Sequence, residues 1–210
     1  MPTRFLPLAL CLSLAGPAAA DVLYSVAVDT SSISGTVGSL DLNLNAGPFT
    51  SQLALADVLN FSSDGSLASS PTLTGDVSGA LPSTVTFDDG GAFNDYFDGF
   101  TFGSTLMFDV RLYGPAVNSP DGVSTSGSSF GFSMFSDPAG TIPALSTDMT
   151  DGFAFTVDVN LDGTTTVTDF SSQTGVVAAT SAVPEPSSLA LLGAVIALWG
   201  VLPLRRSARS

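Results

Sequence analysis

The sequence predicts an all-β domain of β-sandwich or jelly-roll-like type, preceded by a signal peptide and followed by a single C-terminal transmembrane helix. Three observations point there. Residues 21–170 hold many short runs in which apolar and polar residues alternate, the period of a strand with one buried face. Clusters of Gly, Pro, Asp, Asn and Ser separate those runs. Val and Thr supply β-propensity, and Phe, which falls almost wholly in this region, supplies core volume.

The elements follow in order. Residues 1–20 carry Arg4, an apolar run from Phe5 to Leu14, a Gly16-Pro17 break and Ala18-Ala19-Ala20. That pattern predicts a secretory signal peptide cut between Ala20 and Asp21. About ten apolar residues are too few to span a bilayer. Cleavage removes Cys11, the one cysteine, so the exported domain must fold without disulfides.

Residues 21–170 form the predicted domain. Val22–Val28 opens it, and Leu40, Leu42 and Leu44 alternate with Asp41 and Asn43. Leu53–Phe61 fits a strand or a helix. Thr84–Phe87 is short. Phe100–Tyr113 is long, with Gly103 as a bulge or break. Phe130, Phe132 and Met134 alternate, as do Phe153, Phe155, Val157 and Val159. Thr164–Phe170 follows an Asp-Gly turn. Eight or nine strands at this spacing suit a sandwich, and no fixed repeat suggests a solenoid.

Residues 171–188 read as a small, polar, Pro-bearing linker, and residues 189–204 as an uncharged apolar helix long enough for a short span. Trp199 suits a membrane interface. Arg205, Arg206 and Arg209, in the basic tail 205–210, hold that end in the cytoplasm and leave the domain outside. Pro184 and Pro186 keep the chain before the span extended around Glu185, the one Glu present.

The order Pro184-Glu185-Pro186, apolar span, Arg cluster resembles the PEP-CTERM sorting tail of Gram-negative surface proteins. The likeness covers about residues 183–209. It implies that an exosortase, a membrane transpeptidase, recognises Pro184, Glu185 and Pro186 and cuts near them. The domain is similar to small all-β PEP-CTERM passengers in its opening strand Val22–Thr30, its Phe100-Thr101-Phe102-Gly103 segment and its late hairpin Phe153–Phe170. The resemblance implies residence in the inner membrane, then at the cell surface or in an exopolysaccharide matrix.

Charge and composition exclude several chemistries. The chain has no His and no Lys, so a His-based triad, a Schiff-base Lys, a P-loop Lys and a Cys/His zinc site cannot be built. Eighteen Asp against Arg111 give residues 21–182 a formal charge of −17. That argues against nucleic acid and anionic lipid as partners. Arg111 and Asp109 share a strand face, which predicts a local ion pair.

Two acidic segments invite a metal. Asp158, Asn160, Asp162 and Asp169 stand at positions one, three, five and twelve of a calcium-loop pattern with Gly163 at six. An EF-hand needs a following helix, whereas Thr164–Phe170 is strand-like, so a β-hairpin turning at residues 160–163 is the competing reading. Asp88, Asp89, Asp95 and Asp98, with Gly90, Gly91 and Asn94, read as turns or as calcium-binding loops. The function expected is that of a non-catalytic structural or matrix-associated surface protein. The alternative is a calcium-dependent carbohydrate-binding module, marked by exposed aromatics on a sheet face. An Asp-based glycosidase comes third and requires two carboxyls facing across a cleft.

Overall fold

The computed structural model describes residues 20–91 and 93–179. Pro184, Glu185, Pro186, Arg205, Arg206, Arg209 and the span 189–204 lie outside the described residues. Among those described, no helix is long and apolar enough to cross a membrane.

The chain is all-β, built from two antiparallel sheets. The first runs β13(Thr174–Ala179)-β1(Val22–Asp29)-β9(Thr105–Tyr113)-β3(Leu55–Ser63)-β7(Val85–Asp88)-β6(Val77–Gly79). The second runs β12(Thr165–Asp169)-β11(Phe153–Val159)-β10(Ser128–Phe135)-β2(Val37–Ala46)-β8(Asp95–Thr101)-β4(Ser66–Leu67), with β5(Thr72–Thr74) also pairing β8. One four-residue helix, α1(Pro115–Asn118), and a 3-10 turn at Ser31–Ile33 are the helical pieces described.

Alternation decides which face each strand buries. On β2, Leu40, Leu42 and Leu44 are fully inward, while Asp41, Asn43 and Asn45 turn outward. Register carries that parity across the sheet: Leu42 opposes Phe132, which opposes Phe155. Val26, Val28, Phe108, Val110 and Phe87 face the same core from the other sheet. Phe108 of β9 meets Phe132 of β10 edge-on with ring centroids 5.0 Å apart, and Phe87 meets Phe130 at 6.2 Å. Phe61 and Phe100 do the same at 6.2 Å. Such contacts add to the area they bury, which is the main stabilising term in a chain without disulfides.

The structure refines several expectations. The ambiguous stretch Leu53–Phe61 is a strand from Leu55, running on to Ser63, and Ala56 and Val58 face the core with the two-residue period. Phe100–Tyr113 is not one strand. The chain breaks at residues 102–104 and passes from the second sheet to the first, with Thr30 bonding the Gly103 carbonyl at 2.8 Å. Thr174–Ala179, inside the expected linker, is strand β13 and pairs with β1 from Leu23↔Ala179 to Val28↔Thr174. It makes an edge, so small and mostly exposed residues suffice there.

Arg111 does not pair with Asp109. Its guanidinium binds Asp57 on the neighbouring strand β3, lies 3.8 Å from Asp21 and stacks 4.7 Å from the Tyr113 ring centroid. Asp109 instead accepts hydrogen bonds from Ser25 and Asn60, both at 2.7 Å. The reason is burial: the Asp57 side chain is 5% exposed and needs the one cation in the domain.

Two stability outcomes follow. Phe132→Ala should cost about 3–5 kcal/mol in urea denaturation, through lost burial and an unfilled cavity. Arg111→Ala should cost about 2 kcal/mol, between exposed and buried ion-pair values because Arg111 is 41% exposed. A double-mutant cycle should find Arg111 coupled to Asp57 and uncoupled from Asp109.

Candidate functional site

The outward face of the second sheet carries the site. Because the inner positions are apolar, every alternate residue points to solvent, and most of these are polar. Register sets them in rows across the strands. Asn45, Ser129, Asp158 and Thr166 form one row over β2, β10, β11 and β12. Asp95, Asn43, Gly131, Thr156 and Thr168 form the next. At about 4.8 Å between strands, the first row is about 14 Å long.

An open groove of about 560 Å³ lies here. Asn43, Asn45, Ser129, Asp158 and Asn160 give it polar walls, and Phe153 gives it an aromatic one. Gly131 explains the depression. A Cβ there would stand 2.4 Å from the Phe153 ring and 3.0 Å from Asn43 Oδ1, so only glycine admits this packing.

The amides of β2 are oriented by a chain of hydrogen bonds. The Asn94 N–H donates to Asn45 Oδ1 at 2.8 Å, Asn45 Nδ2 to Asn43 Oδ1 at 3.3 Å, and Asn43 Nδ2 to Asp41 Oδ1 at 3.2 Å. Asp95 lies on the same face, on the neighbouring strand β8, and its Oδ1 is buried without a hydrogen-bond partner. Burial raises both carboxyls, and the Asp41 charge adds to the rise at Asp95, which reaches about 8. The pair therefore holds one proton at neutral pH. Asp95 is buried, whereas two carboxyls that flank a glycosidic bond face each other across an open cleft that admits sugar and water.

The two acidic segments are dispersed by the strand period. Asp158 opposes Thr166 on the outer face, whereas Asp169 opposes the core residue Phe155 and so faces the other way. The turn between them is the β-hairpin. Asn160 N–H bonds the Thr164 carbonyl at 2.8 Å, and Gly163 adopts φ +81°. Thr164 donates its hydroxyl at 2.6 Å and its N–H at 3.0 Å to Asp162 Oδ1, holding that carboxyl below the usual range. Asp158, Asn160, Asp162 and Asp169 therefore do not converge on one point.

The other segment is likewise spread. Asp88 caps Gly90 N–H at 2.8 Å. Asp89 is buried, accepts from Ala54 N–H at 2.8 Å and from the Ser128 hydroxyl, and is raised by burial. Asp98 faces the core at 1% exposure, bonded by the Tyr96 hydroxyl at 3.3 Å, while Asp95 faces out. Among the described residues, no three acidic, His or Cys side chains gather as a metal cage. Asp21, the residue expected to follow signal cleavage, accepts from Asn118 Nδ2 at 3.1 Å and lies near Arg111.

Sequence reasoning missed the groove residues Asn43, Asn45, Ser129 and Phe153 as a set. The alternation on β2 places Asp41 and Asn43 on one face, but only register brings Ser129, Phe153 and Asp158 beside them. Of the three tyrosines, Tyr24 and Tyr96 are buried and Tyr113 packs on Arg111, so Phe153 is the aromatic at the groove.

The acid pair makes stability depend on pH. The folded chain keeps the Asp95 proton up to about pH 8, whereas the unfolded chain releases it near 3.8. Stability from this group is therefore full below pH 4, falls as pH rises and levels off above 8. Asp95→Asn should flatten that decline when melting temperature is followed from pH 4 to 9.

The chain matches no protein-family model, and neither the curated proteins nor the solved structures contain a match to it.

Proposed function

We propose that this chain is an exported bacterial surface protein whose β-sandwich, jelly-roll-like domain associates with extracellular polysaccharide without catalysing a reaction. The observation that carries this reading is the open groove of Asn43, Asn45, Ser129, Asp158 and Asn160 beside Phe153. Amides, a hydroxyl and a carboxylate match the hydroxyl edges of a sugar, and an aromatic face matches its apolar side. The groove is a shallow surface on a sheet, open along a row of strands, which suits a chain polymer more than a small molecule.

The tail supplies the address. A signal peptide ending at Ala20, then Pro184-Glu185-Pro186, an apolar span and Arg205, Arg206 and Arg209 support export, transient hold in the inner membrane and processing by an exosortase. The dispersal of Asp158 and Asp169 favours saccharide binding without calcium over the calcium-dependent form.

Full-length protein in detergent, titrated with extracellular polysaccharide from its source, should bind saturably and equally in calcium and in EDTA. Phe153→Ala and Asn45→Ala should each weaken binding by about tenfold, the worth of about 1.4 kcal/mol. Absence of saturable binding in both buffers rejects the polysaccharide reading. Independently, Glu185→Ala should leave the melting temperature unchanged and leave the C-terminal segment uncut. Normal processing of that variant rejects the sorting assignment.

A further inference from the structure

The groove is a one-sided chemical surface. Asp158 projects into it from β11, and among the described residues its carboxylate meets neither a hydrogen-bond donor nor a cation. The amides around it are partly engaged within the protein. Asn160 Nδ2 donates to the hydroxyls of Thr164 and Thr166, each at 3.0 Å, leaving Oδ1 as its open atom. Asn45 Nδ2 donates to Asn43, and Asn43 Nδ2 to Asp41. What remains for a ligand is the Asp158 carboxylate, the one charged group of the groove, together with the Ser129 hydroxyl and amide groups that donate or accept.

The charge of the domain points the same way. Arg111, its one cation, lies on β9 in the other sheet and is bound to Asp57. Asp41 stands on the same outer face as Asp158. A polycation is drawn to this face at long range and a polyanion is repelled. An ammonium also meets the Phe153 ring favourably.

From these contacts we infer that the groove takes a glycan bearing free amino groups, a deacetylated hexosamine polymer, with an ammonium on Asp158. This rests on the polysaccharide reading above and narrows it. N-acetylation removes the charge that Asp158 answers, and a uronate chain brings a second carboxylate against it.

The test is calorimetric titration of the full-length chain at low salt with three oligomers of equal length: glucosamine, N-acetylglucosamine and galacturonate. The glucosamine oligomer should bind saturably and at least tenfold more tightly than the other two. Asp158→Asn should weaken it at least tenfold. Asp169→Asn removes the same charge from the opposite face of the same hairpin and should change affinity less than twofold. Equal loss in both variants means a diffuse field rather than a site and overturns the inference. N-acetylglucosamine binding as tightly, with Asp158→Asn silent, overturns it while polysaccharide binding stands. A preference for galacturonate also overturns it. If none of the three binds yet the source polysaccharide does, the amino-sugar assignment alone falls; if that too fails, both readings fall.

Discussion

Phe108 reaches from the six-stranded sheet to the rings of Phe132 and Phe155 on the seven-stranded one, at 5.0 and 6.3 Å. The rest of the molecule depends on that contact. With no cysteine past residue 11, the two layers are held together by apolar burial and aromatic packing. The rings also fix register. Sliding β10 by one residue against β2 would turn Phe130 and Phe132 to solvent and Ser129 and Ser133 to the core. Core and groove are thus two readings of one alignment: whatever pins the inner residues also pins Asn45, Ser129 and Asp158 in a row.

The outer face carries a cost that the core must offset. Asp95, near the end of a line of amides, is pushed up to about 8 by burial and the Asp41 charge, and Asp98 sits inward beside Tyr96, whose hydroxyl is pushed up to about 12 by burial. A domain optimised only for stability would not bury carboxyls among so many others. Directionality is the return on that arrangement. Each amide of β2 is held in one orientation by its neighbour, from Asn94 N–H to Asp41, so the groove presents amides of fixed orientation instead of rotating side chains.

Much of the fold was legible in the sequence, because alternation is a direct record of burial. β1, β2, β10 and β11 stand where Val22–Val28, Leu40–Leu44, Phe130–Met134 and Phe153–Val159 place them. The short edges β4, β5 and β6 were not legible, since strands of two or three mostly exposed residues leave no pattern. β13 was hidden by its small residues. Long-range partners were the real gap. Arg111 was read against Asp109 on its own strand, but the buried Asp57 one strand away had the stronger claim. The groove failed to show for the same reason: its residues come from β2, β10 and β11 and the turn after β11, and only pairing makes them neighbours.

The closing strand β13 bears on what survives separation from the tail. Its six ladder pairs to β1 end at Ala179, opposite Leu23. Pro184 stands five residues further along the chain. A cut at or beyond Pro184 therefore leaves every rung of that ladder in place, and the severed domain gains no bare β1 backbone on which another chain could add. A cut a few residues earlier would strip rungs from the first sheet. Among the described residues, Ala179 is thus the last position at which a cut would remove a rung of the first sheet.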